Sequence, residues 1–365
     1  MTKRILPMLL FAIGLFSCKD KEQDQTNGIR ILKIQDSEKQ EVIDKITYLP
    51  IQEDEQFLFS ELSKVIIKND CIYILDLHQS NSLLCFSKSG NFIRKIGNQG
   101  QASDEYIRLQ DFDVDDSHVY LYDRRQKKML TYDLEGNFIE SKKTPFVGKN
   151  FKVLPNQQFL FALAKGDGKE PLLVQTSADF ADQKNILNFQ KEYVDDNGTP
   201  TVFQPSQEHI LFNRAVNDSV FVLNKTGAIA STYVFDFGTK KVPNDLKNSY
   251  ETLVEVRKEN DFAYLIGAPL LIHNRYLVSE IFYEGSKATL LYDLNEDKCE
   301  ITQWLPEKMY STDIILPTVA FDNGVVGWMD IDVYDVLKEK PTLSGDLMKH
   351  LEEGGKILTF YHFKK

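Results

Sequence analysis

The chain is 365 residues long with a formal net charge of −11, which becomes about −13 once the two cations Lys3 and Arg4 leave with a leader peptide. That balance argues against nucleic acid or an anionic membrane surface as a primary partner. Its four cysteines show no metal-binding spacing, and the three left after processing cannot all pair within one chain.

Lys3 and Arg4 precede an apolar run from Ile5 to Phe16, too short to span a bilayer and built like a secretory signal, so residues 1–17 are expected to be removed. Leu15-Phe16-Ser17-Cys18 closes that run and resembles a bacterial lipobox. The resemblance implies a lipidated Cys18 and a protein that touches the membrane only through its anchor. Residues 18–28 then read as the lipidated cysteine and a flexible polar tether. Lys19-Asp20-Lys21-Glu22 resembles the charged export signal of surface lipoproteins in Bacteroidetes, which implies an outer-membrane lipoprotein, periplasmic or surface-exposed, with surface display slightly favoured.

Residues 29–365 read as one domain built from a repeat. Ile72-Tyr73-Ile74-Leu75-Asp76, Leu84-Cys85-Phe86 and Gly90-Asn91-Phe92-Ile93 recur as Val119-Tyr120-Leu121-Tyr122-Asp123, Leu130-Thr131-Tyr132 and Gly136-Asn137-Phe138-Ile139. Short β-runs and tight turns at an offset of about 46–47 residues predict propeller blades. Continuing the pattern gives an all-β fold, a six-bladed β-propeller of four-stranded antiparallel blades. The sixth blade has only three strands at the C-terminal end, so the β-like run Val42 to Ile51 is expected to complete it and close the ring. One or two short inserted helices are expected. One runs about four turns from a cap at Asn244 through Leu246, Tyr250, Leu253 and Val254, and another covers about Asp346 to Glu353. Cys71 and Cys85 share a predicted hairpin and either pair or stay as buried thiols, the second being favoured.

Ile93-Arg94-Lys95-Ile96-Gly97-Asn98-Gln99-Gly100 with Asp104-Glu105-Tyr106, then Asn217-Asp218-Ser219-Val220-Phe221 and Asp236-Phe237-Gly238, resemble the six-bladed β-propeller lipoproteins of Bacteroidetes, distant relatives of NHL-repeat propellers. The resemblance spans most of the mature chain and implies a fold more than a function. This chain has Gln101-Ala102-Ser103-Asp104 where the family has a glycine-rich turn.

Strands alternate in direction, so loops joining second to third strands share one face with those joining blade to blade. That face carries the long loops and is the expected working face. Its expected ligand-binding residues are Asp76, His78, Tyr106, Asp123, Arg124, Arg125, Arg214, Asn217, Asp218, Glu280 and Tyr283, with Tyr193 and Tyr310 as further aromatic platforms. Ionic groups of both signs in one depression suit a glycan, peptide or envelope-protein partner. At any single position an Asp at a strand end more often caps a turn.

Asp111, Asp113, Asp115 and Asp116 look like a calcium loop but lack its glycine and terminal glutamate, and their alternation fits an inner strand entering a turn. The six histidines are scattered, and no HExxH, GxSxG or phosphate-cradling loop is present. No cofactor is expected, with calcium or zinc as the lesser reading. The leading expectation is a lipid-anchored, non-catalytic binding or scaffold module. The alternative is a metal-dependent propeller enzyme, lactonase- or lyase-like, with carboxylates and His78 meeting at the axis.

Overall fold

The repeated segments form two blades of the same build. In the computed structural model the first blade comprises Lys64–Lys68, Cys71–Asp76, Ser82–Ser87 and Phe92–Ile96, and the second Leu109–Val114, His118–Asp123, Lys128–Asp133 and Phe138–Lys143. The structure describes residues 28–364 except 38, 53–58, 60–61, 165–170, 190–201, 258–259, 306–307 and 311. The expected signal peptide, Cys18 and most of the tether lie outside the described residues, as does Tyr193.

Six antiparallel blades follow in chain order and make a β-propeller. In the third, Gly148–Val153 is innermost and Gln183–Asn188 outermost; in the fourth, Phe203–Pro205 and Ile229–Asp236 take those places. In the fifth, Tyr264–Leu265 and Leu270–Ile272 both pair with Tyr276–Tyr283 and share the inner position. Alternating residues of each strand fill the gaps between blades: Tyr73, Cys85, Phe112 and Leu121 pack between the first two, Tyr122, Phe151 and Phe161 between the next two.

The ring closes as the strand count demands. Strand β2 (Ile43–Ile51) runs antiparallel to Lys356–Phe363, from Ile43 opposite Phe363 to Ile51 opposite Lys356, and forms the outer strand of blade six. The chain then meets blade one, where the Gln52 amide donates to the Gly90 carbonyl at 2.8 Å. Gly90 has φ +81°, and a Cβ there would stand 2.0 Å from the Pro50 carbonyl oxygen, so only glycine fits this joint.

A further strand was not anticipated. Strand β1 (Ile29–Lys33) lies parallel to Ile229–Asp236 and makes blade four five-stranded. Its Leu32 is fully buried with Phe235 against blade five. Asp36 then bridges to Cys299 of blade five, so the N-terminal arm pairs with blades four and five before it becomes β2 of blade six.

Among the described residues, three α-helices stand on the long-loop face. Helix α1 (Tyr250–Val256) is shorter than the four turns expected from Asn244. Ser249 is extended (φ −145°, ψ 112°), breaks the run after a 3-10 turn, and caps α1 by accepting the Thr252 amide at 3.2 Å. Helix α2 (Ile331–Val336), capped by Asp330, was not foreseen, and α3 (Gly345–Glu352), capped by Ser344, matches its expected position. Leu253 of α1 and Leu351 of α3 are fully buried against the blades.

Cys71, Cys85 and Cys299 are free thiols. Burial, reinforced by the neighbouring Cys71, pushes the Cys85 thiol up to about 12, and burial does the same to Cys299. At pH 8 a thiol of that pKa is ionised in roughly one molecule in ten thousand. In the folded protein from residue 28 onward, Cys85 and Cys299 are therefore expected to resist a thiol-specific dye that labels all three cysteines in denaturant. Recovery of only one thiol after non-reducing denaturation would instead reveal a Cys71–Cys85 disulfide.

Candidate functional site

The carboxylates expected on the long-loop face are held in structural bonds. Asp76, fully buried, accepts the amides of His78 and Gln79 on Oδ1 at 3.0 and 3.1 Å and of Ser80 on Oδ2 at 3.0 Å. Asp123, also fully buried, accepts the Ile107 and Gln126 amides at 2.6 and 3.0 Å and so ties two loops together. Asn217 caps the amide of Ser219. The Asp218 carboxylate receives Lys241 at 3.0 Å and the buried Lys247 at 2.9 Å, which pins the insertion carrying α1 to blade four. Arg214 stacks over Phe189 with 5.0 Å to the ring centroid, and Glu280 pairs with Lys287 at 2.7 Å. Tyr106 is fully buried between blades one and two, and Tyr283 lies under the Lys240 ammonium, its hydroxyl pKa raised by burial. Tyr310 is covered in the same way by Lys39 and Lys338.

His78 and Arg125 are exposed and Arg124 is half-buried. Arg214, Asn217 and Asp218 share one loop of blade four. Asp76 and His78 share one of blade one, Asp123, Arg124 and Arg125 one of blade two, and Glu280 and Tyr283 lie on a single strand of blade five.

The inner strands of blades one to three are laced across the axis. Lys64 of blade one donates to Asp111 Oδ1 at 2.8 Å, while Asp111 Oδ2 accepts the Phe151 amide of blade three at 2.9 Å. Asp113 accepts both Lys152 Nζ at 2.6 Å and the Val153 amide at 2.7 Å. The side chains of one inner strand thus satisfy the free edge of the next. Burial raises the Asp111 pKa and Lys64 opposes that shift. Among the described residues no three His, Cys, Asp or Glu side chains gather as metal ligands would.

A roomy cavity flanks the other half of the ring and opens on the short-turn face. It measures about 580 Å³, within the usual range for ligand pockets. Its floor is Ile67, Ile72, Leu271, Ile272, Ala320, Phe321 and Phe360, and its rim is Ser206, Gln207, His273, Asp322 and Lys88. The inner strands Phe203–Pro205, Leu270–Ile272 and Val319–Phe321 end in the turns that ring its mouth. At the rim, His273 and Asn274 both have positive φ, 52° and 51°, in a tight hairpin turn. A histidine where Asn-Gly or Asp-Gly is usual is the one local signal in the sequence that points to this bowl.

Comparison with known proteins agrees with this architecture. Over residues 29–355 the sequence matches the family described as a domain of unknown function, DUF4934. The chain belongs to the DUF4934 family. No curated protein sequence matches this DUF4934 chain. Among solved structures it is similar to a Bacteroides fragilis protein described as exported, with a TM-score of 0.74 at 20% identity, covering 92% of this chain and 100% of that one. It is also similar to a member of the DUF4221 family from Bacteroides vulgatus, with a TM-score of 0.55 at 12% identity, covering 88% of this chain and 97% of that one. At these identities the likeness is one of fold. Among the described residues of the DUF4934 chain no helix is long and apolar enough to cross a membrane.

Proposed function

We propose that this DUF4934 protein is a lipid-anchored, non-catalytic binding module of the cell envelope that receives an apolar-tipped peptide segment of an envelope protein in the axial bowl. The observation that carries this reading is the bowl itself: an apolar floor within a rim of Ser206, Gln207, His273, Asp322 and Lys88. Apolar walls favour a buried side chain, and a few polar rim groups fix its orientation. A sugar ring is better served by flat aromatic faces, and the floor is mainly aliphatic, with only Phe321 and Phe360 of that kind. Catalysis at the axis would draw on Asp76, Asp123, Asp218 and Glu280, carboxylates already engaged by amides and lysines.

Filling the bowl tests this. Ala320 is a half-buried lining residue, and Ala320→Trp is expected to weaken binding of array-selected peptides at least tenfold, about 1.4 kcal/mol, with little change in melting temperature. Peptide or glycan binding that Ala320→Trp leaves intact would remove the bowl from the account.

A further inference from the structure

We infer that the axial bowl is turned toward the membrane that holds Cys18, and that its occupant is a segment presented at the bilayer surface by an integral membrane protein. The inference rests on the lipid anchor and the bowl proposed above, and it adds an orientation and a class of partner.

The direction of β1 carries it. Because β1 is parallel to the outer strand of blade four, Gly28 lies at the end where that strand begins, and its carbonyl accepts the Thr232 amide at 2.8 Å. The strand begins just after the Asn224–Ala228 turn. Arg30, one residue into β1, reaches the carbonyl of Leu294 and, at 2.7 Å, the carboxylate of Asp297, both in the corresponding turn of blade five. Third-to-fourth-strand turns belong to the short-turn face, so the chain joins the propeller on the side where the bowl opens. An antiparallel β1 would have brought it in from the long-loop face.

Chain length then limits the distance. The ten residues from Cys18 to Gly28 span at most about 35 Å when fully extended. As a random coil they average about 16–19 Å end to end. A lipid on Cys18 therefore keeps the short-turn face near the bilayer, within reach of short loops of membrane-embedded proteins. An acyl chain would suit the apolar floor but leave the rim unused. A peptide segment offers a side chain to the floor and both donors and acceptors to Ser206, Gln207 and Asp322.

The test uses the full lipidated chain on phosphatidylethanolamine–phosphatidylglycerol vesicles containing an acceptor-labelled lipid. A fluorescent amino acid is placed either at Gln207, exposed on the short-turn face, or at Lys349, exposed on α3 of the long-loop face. Energy transfer from Gln207 is expected to exceed that from Lys349 at least threefold, and a Cys18→Ser chain is expected to leave the vesicles. Equal or reversed transfer would overturn the orientation, and retention of the Cys18→Ser chain would overturn the anchor.

The partner is read by a photo-crosslinker at Gln207 in intact cells. Support is an adduct with an integral membrane protein that disappears in the Ala320→Trp chain; an adduct with lipid or with a soluble protein contradicts the proposed occupant. Peptide binding by the soluble domain is scored separately. Loss of the bowl there with orientation intact, or the reverse, shows which proposal has failed.

Discussion

A chain lacking residues 29–52 is expected to show no cooperative unfolding transition. The deletion removes β1 and β2 together, and with them the outer strand of blade six and the fifth strand of blade four. It exposes the surfaces covered by the fully buried Leu32 and Ile51 and leaves Lys356–Phe363 as an open edge. In an open-ended propeller the first and last blades each lose a packing neighbour, so the loss spreads around the ring. A milder form of the same test is Gly90→Ala. Its Cβ would meet the Pro50 carbonyl oxygen at 2.0 Å, at a φ of +81° that favours glycine, and the expected cost is about 2–4 kcal/mol. Circular dichroism melting of both proteins decides the matter. A truncated chain that melts sharply near the full domain's temperature would show that the other five blades suffice without closure.

Asp218→Asn is expected to destabilise the domain by about 3–5 kcal/mol, the usual cost of removing one partner from a buried ion pair. The Lys247 side chain is 1% exposed and that of Asp218 6%, so solvent can do little to replace the lost carboxylate. Lys241, with 49% of its side chain exposed, is expected to adjust at small cost. If the buried lysine is the cause, Lys247→Met in the Asp218→Asn background should recover most of the loss, since an apolar replacement removes the uncompensated charge. Urea denaturation of the two single variants and the double variant measures this. Additive losses would mean that Asp218 acts through its other contacts.

The architecture was legible because the fold is written in local repeats. Ile72-Tyr73-Ile74-Leu75-Asp76 and Val119-Tyr120-Leu121-Tyr122-Asp123 occupy matching second strands, and a three-stranded C-terminal blade required an outside partner, which β2 supplies. Strand β1 was not legible: it has five residues directly after a polar segment, and its parallel pairing depends on contacts with Phe235 and blade five that are distant in sequence. The start of α1 was misplaced because Asn244 and Ser249 are both sound caps, and only the extended backbone at Ser249 separates them.

The site was harder to read for a physical reason. An aspartate that ends a second strand looks the same in sequence whether it binds a ligand or caps a loop, and Asp76 and Asp123 cap. Loop length drew attention to one face, while the bowl opens on the other, at the turn ends of the inner strands of blades four to six. The lacing through Asp111 and Asp113 cannot be read from a local motif either.

Hydrogen exchange of the domain with and without its best array-selected peptide tests the central claim most directly. The account predicts slowed exchange at residues 206–207, 271–273 and 320–322, the turns and inner-strand ends that surround the bowl. Protection confined to residues 77–81, 124–127 and 213–217 would place the site on the long-loop face and contradict it.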